Sequence, residues 1–144
     1  MGRRGSGYAL AAGSALTLTV AVLVACSGSG GGSSEPSSGT CAPTGTALTL
    51  AAPGLAFDTD CLATLPNQGF TVTFDNQDSG VAHNFLISEA FAPGSPILFQ
   101  GDAITGPKTT TYDVSALDAG TYSFECSLHP SFMHGTFIVS NATA

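Results

Sequence analysis

From residue 44 to residue 140 the chain is a succession of short apolar runs cut by turn-forming clusters, and no part of it has the spacing of a long amphipathic helix. Phe70, Val72 and Phe74 alternate with Thr71 and Thr73, and Tyr122, Phe124 and Cys126 alternate with Ser123 and Glu125. Period two sends one set to a buried face and the other to an exposed face. TALTLAA (46–52), HNFLIS (83–88), PILFQ (96–100), KTTTYDV (108–114) and GTFIVS (135–140) have a strand-like composition, and LPNQG, DNQDSG, APGSP and DAG separate them. Within SALDAG there is room for a single helical turn. Seven to eight short strands at these intervals predict an all-β fold, an antiparallel sandwich or barrel.

The N-terminal third is of another kind. Arg3 and Arg4 precede an uncharged run from Gly5 to Ala25, apolar from Tyr8 onward, that ends Leu23-Val24-Ala25-Cys26. This reads as an export signal over residues 1–25. Its ending resembles the bacterial lipobox, in which the Cys sulfur is acylated and the preceding peptide removed, so Cys26 is the expected lipid attachment site. The alternative is a retained helix, because about 20 apolar residues can span a bilayer. Either way the domain is expected outside the cytoplasm, as a periplasmic or outer-face membrane protein of a bacterium. Residues 26–43 are mostly Ser and Gly, with too little apolar surface to offset the entropy of ordering them, and read as a flexible tether. That leaves residues 44–141 as one folded domain, about 100 residues and a single small core.

The chain carries three Lys and Arg against ten Asp and Glu, a net charge of −7. Loss of the signal would remove two of the three cations and leave Lys108 alone, a net charge of about −9. Such a surface excludes nucleic acid as a partner. It either favours encounter with basic proteins, such as a cytochrome with a lysine rim, or only maintains solubility, and charge alone does not choose between them.

Four cysteines require separate fates. With Cys26 assigned to lipid and Cys126 to a metal, Cys41 and Cys61 remain to pair in a compartment where disulfides persist. Closing that loop would stabilise the domain by about 3 kcal/mol in the chain-entropy model. The competing arrangement joins Cys126 to one of them.

The segment CSLHPSFMHG (126–135) sets a thiol, two imidazoles and a thioether within nine positions. Cys126 ends an inward-facing run, His129 lies three positions on, and Met133 follows within reach of a weak axial contact. His83 begins HNFLIS, where period two would put His83, Phe85 and Ile87 on one side and Asn84 and Leu86 on the other. Two His, one Cys and a weak Met describe a mononuclear copper centre for electron transfer.

FDNQDSGVAHNF (74–85), with its His-Asn pair, and TYSFECSLHPSFMHG (121–135), with aromatic-x-Cys-x-x-His-Pro and a following Met, together resemble the cupredoxins of the plastocyanin and azurin class. TGTALTLAAPGLAFDTDCLATLPNQGFTVTF (44–74) is similar to the first strands of small bacterial members. The resemblance covers about residues 44–140. It implies a Greek-key β-sandwich binding one type 1 copper, with His83, Cys126 and His129 in the trigonal plane and Met133 axial. It also implies that Asn84 ties the two ligand loops together beside the thiolate. Three residues separate His129 from Met133, where several members have two or four, and His134 adjoins the axial position. The implied activity is electron exchange through His129 with a redox partner protein, such as a basic cytochrome or a membrane oxidase or reductase, with no small-molecule substrate and no enzymatic step.

Other functions draw on the same residues. A copper carrier or storage protein would use these ligands but usually contains more Met and His than two and three. Zinc could be held by Cys126, His129, His83 and His134. A thiol enzyme built on Cys126 and His129 lacks an evident orienting acid or oxyanion donors. Three His are too few for the second copper centre of a multicopper oxidase.

Overall fold

The computed structural model describes residues 41–142. The export signal of residues 1–25, Cys26 and residues 26–40 of the tether lie outside the described residues. Ten strands follow one another: β1 (Ala47–Ala52), β2 (Cys61–Thr64), β3 (Phe70–Asn76), β4 (Ala82–His83), β5 (Leu86–Ser88), β6 (Ile97–Gln100), β7 (Ile104–Thr105), β8 (Lys108–Val114), β9 (Gly120–Glu125) and β10 (His134–Val139). None of the described residues is helical, so SALDAG holds no turn of helix and leads directly into β9.

The strands form a three-stranded sheet ordered β1-β3-β8, a five-stranded sheet ordered β2-β10-β9-β5-β6, and a small β4-β7 ladder. The all-β expectation stands, but the sheets are mixed where antiparallel ones were predicted. β1 pairs with β3 in parallel, and so does β2 with β10. The reason is the route of the chain. β2 lies in the opposite sheet from β1, so β3 comes back beside β1 by way of a crossover, the connection that parallel pairing requires.

Alternation is clean in the first sheet. Leu48, Leu50 and Ala52 of β1, Phe70, Val72, Phe74 and Asn76 of β3, and Tyr112 and Val114 of β8 are buried while their neighbours are more exposed. These apolar side chains share one core with Leu62, Ile87, Phe124, Phe137 and Val139 of the second sheet. Phe70 stacks on Phe137 with ring centroids 5.4 Å apart, joining the two sheets. Phe85 lies among Phe99, Tyr112, Phe124 and Phe137, with centroids 6.0 to 6.5 Å away. Rings at these separations add to the stabilisation that burial provides. Cys41 and Cys61 are joined in a disulfide, tying the chain before β1 to the start of β2.

HNFLIS departs from the period-two expectation. His83 through Ser88 are all buried, and the run is two short strands with Asn84 and Phe85 between them. The chain changes partners there: His83 faces Ile104 of β7, whereas Leu86 lies between Gln100 of β6 and Glu125 of β9. The Phe85 carbonyl accepts from Gly101 N–H at 2.9 Å across the break. This kink carries His83 and Asn84 out of the sheet's pleat toward one end of the core.

Candidate metal centre

Three donor atoms converge at that end. His83 Nδ1 lies 3.1 Å from His129 Nδ1, and Cys126 Sγ lies 3.8 Å from each of them. By plane geometry, the point equidistant from the corners of such a triangle is about 2.1 Å from all three, close to the bond lengths that His nitrogen and Cys sulfur make to a first-row metal ion. His83 and Cys126 are fully buried and His129 is half-buried. Among the described residues this is the only group of three or more His, Cys, Asp or Glu side chains so arranged. A thiol and two imidazoles form a soft, nitrogen-rich set that suits copper or zinc and has little affinity for magnesium or calcium.

The loop after β9 delivers two of these donors, and its own backbone closes it. Cys126 N–H donates to the Met133 carbonyl at 2.9 Å, His129 N–H to the Cys126 carbonyl at 3.1 Å, and Met133 N–H to the His129 carbonyl at 3.0 Å. Met133 is thereby held beside Cys126, and its side chain is fully buried in the same core cluster. His134 does not join them. Its Nδ1 donates to the Pro130 carbonyl at 2.9 Å and its ring stacks on Phe91 with centroids 4.4 Å apart.

Asn84 makes the bonds that link this loop to the kink. Its Oδ1 accepts from Ser127 N–H at 2.9 Å and from the Ser127 hydroxyl at 3.1 Å, and its Nδ2 donates to the Gly101 carbonyl at 3.0 Å. The residue next to Cys126 is therefore fixed relative to the residue next to His83. Gly101 is in turn closed over by Tyr112, whose hydroxyl donates to the Asp102 carbonyl at 2.7 Å. Burial, and after it the negative charges of Asp102 and Cys126, push the Tyr112 hydroxyl up to about 12.

A second support was not foreseen in the sequence. His83 Nε2, the nitrogen turned away from the cluster, is 3.1 Å from Asp78 Oδ2. The loop that presents Asp78 is organised by Asn76, a wholly buried residue whose Nδ2 donates to the carbonyls of Val81 and Ile104 at 2.9 and 2.7 Å. Its Oδ1 accepts Asp78 N–H at 3.0 Å. A carboxylate five residues before the His, across a Ser-Gly turn, was the available signal.

Comparison with known proteins agrees with the fold. Among solved structures, reduced auracyanin from the photosynthetic bacterium Roseiflexus castenholzii is 24% identical over 67% of this chain and 98% of its own, with a TM-score of 0.57. Auracyanin A, a blue copper protein of the green thermophilic photosynthetic bacterium Chloroflexus aurantiacus, is 22% identical over 67% and 99%, with a TM-score of 0.56. At these identities the likeness speaks to the fold. No curated protein matches the sequence. The family model of the cupredoxin-like domain matches residues 56–139, more than half of the chain and the whole span from before β2 to the end of β10. With the sandwich, the convergent donors and this match in agreement, the chain belongs to the cupredoxin-like domain family.

Proposed function

We propose that this protein is a one-electron carrier whose His83, Cys126 and His129 would hold a type 1 copper, with Met133 available as a weaker fourth donor. The observation that carries the reading is the triangle of one thiol sulfur and two Nδ1 atoms, sized for a single metal ion. Bound there, copper would supply a couple between its cupric and cuprous states.

What the chain contributes is rigidity and enclosure. The backbone bonds across the 126–133 loop and the Asn84 bridge hold the donors in place, so that little rearrangement accompanies a change of charge. His83 and Cys126 are shut away from water, which disfavours a role in handing copper on, since an exchanging metal needs open ligands. His129 alone approaches the surface, flanked by Leu128 at 50% exposure and Phe132 at 71%. This apolar surface is where a redox partner would dock, and the acidic body would steer a basic one toward it. No bond-making or bond-breaking step on a substrate is proposed. The carrier would work outside the cytoplasm, acylated at Cys26 and tethered to the membrane by residues 26–43. Cys26→Ala should release it from the membrane fraction, and continued attachment would count against the lipid anchor.

Addition of one equivalent of cupric ion to the purified chain should produce an intense visible band arising from thiolate-to-copper charge transfer. Cys126→Ser should abolish the band. A variant that stayed blue would overturn the assignment of the site.

A further inference from the structure

Resting on the copper reading, we propose that Asp78 is a positioning residue for His83: it fixes the imidazole as the Nε2–H tautomer and biases the centre toward the more highly charged metal state, lowering the reduction potential.

The inference begins with the direction of the ring. Nδ1 of His83 faces Cys126 and His129, while Nε2 faces Asp78 Oδ2 at 3.1 Å. An ionised carboxylate can only accept, so in the neutral ring Nε2 carries the proton and Nδ1 keeps its lone pair toward the cluster. Asp78 therefore selects the tautomer that a metal requires. The contact is also shielded: His83 is 0% exposed and the Asp78 side chain 22%. It is the only carboxylate-to-imidazole pair among the described residues. In such surroundings a carboxylate strengthens the donor power of the far nitrogen. Its negative charge also favours a dipositive over a monopositive ion nearby.

The loop is built to hold this contact. Asp78 N–H is bonded to Asn76 Oδ1, and the Asp78 carbonyl accepts Val81 N–H at 3.2 Å. Gly80 takes a left-handed φ of 77° and donates its N–H to the Gly106 carbonyl at 3.0 Å. Gly106 lies so close that a Cβ there would stand 2.5 Å from the Asp78 carbonyl oxygen. A surface carboxylate that met His83 by chance would need none of this bracing.

Asp78→Asn keeps an acceptor but loses the charge, and Asp78→Ala loses both, so the pair separates orientation from electrostatics. Two readouts apply. In the metal-free protein, nitrogen-15 correlation spectra of the His83 ring should show the Nε2–H tautomer in wild type and in Asp78→Asn, and a mixture of tautomers in Asp78→Ala. In the copper-loaded protein, both variants should shift the ratio of cuprous to cupric affinity upward by about tenfold, roughly 59 mV of potential for a one-electron couple. A wild-type ring protonated on Nδ1, or variants that stay blue with unchanged potentials, would overturn the proposal. Should wild type form no blue site, the copper reading falls, and the ring spectra still decide whether Asp78 orients His83.

Discussion

The two loops that bring the donors together are held by different means. The upstream loop, Asn76 to His83, depends on side chains: Asn76 bonds three backbone groups, Asp78 bonds His83, and Gly106 leaves room for both. The downstream loop, Cys126 to Met133, is closed chiefly by four bonds within its own backbone, with Asn84 tying Ser127 to the kink. The upstream loop is buried where it matters and reaches the ligand from the side of the core. The downstream loop turns Leu128, Phe132 and an edge of His129 to solvent. This difference teaches that one loop can set the electrostatic surroundings of the site while the other is free to vary its exposed side chains for a partner.

Removing Asn76 should break the comparison most severely. Asn76→Ala removes three hydrogen bonds, to the carbonyls of Val81 and Ile104 and from the amide of Asp78, at a loss of about 3 kcal/mol, although the Val81 carbonyl keeps the Gly106 N–H. Urea denaturation of the metal-free, disulfide-intact protein would measure it. A loss below about 1 kcal/mol, no more than one ordinary hydrogen bond, would mean that the upstream loop does not rely on this side chain.

Tyr112, whose ring covers Gly101 and whose hydroxyl is bonded to the Asp102 carbonyl, supplies the next test. The unfolded chain releases the Tyr112 proton near the ordinary tyrosine value of 10.0 and the folded chain only near 12, so the neutral form is favoured by folding. Stability from this residue is therefore complete below pH 10 and falls as pH rises toward about 12, by on the order of 2 kcal/mol. Tyr112→Phe should flatten that decline in urea melts across the same window. An equal decline in the variant would place the sensitivity elsewhere.

The smallest structural change, with a clear redox consequence, is Met133→Leu. The replacement nearly conserves volume and should cost less than about 1.5 kcal/mol of stability. Copper should remain bound and the potential should rise, because a weak thioether donor would be lost. Voltammetry showing no change would make Met133 a packing residue of the downstream loop only.

These differences in bracing explain what was legible in the sequence. Phe70 to Phe74 alternate in the sequence and in burial, because they lie in a regular ladder with one face on the core. Tyr122 to Cys126 alternate in the sequence but not in burial: Ser123, paired on both sides by Thr136 and Ser88, is buried beside Phe124, while Tyr122 is only half-buried. The downstream donors could be read because they lie at short spacing in a single loop that follows a strand. β2 could not be recognised, since Leu62, Ala63 and Thr64 are all buried and leave no period. β4 and β7 are two residues each, too short for any pattern. The break in HNFLIS comes from a change of pairing partner, which is a tertiary event. Asp78 escaped notice because an acidic residue in DNQDSG reads as turn composition until the fold brings it against His83. The parallel pairs were hidden for a similar reason, being set by which sheet β2 enters.

The most direct test of the central claim is electron paramagnetic resonance of the purified chain loaded with one equivalent of cupric ion, taken with its visible spectrum. The trigonal donor set predicts a narrow parallel copper hyperfine splitting together with an intense blue or green band. A wide splitting from a pale sample would contradict it and leave the family fold without an electron-transfer centre of this kind.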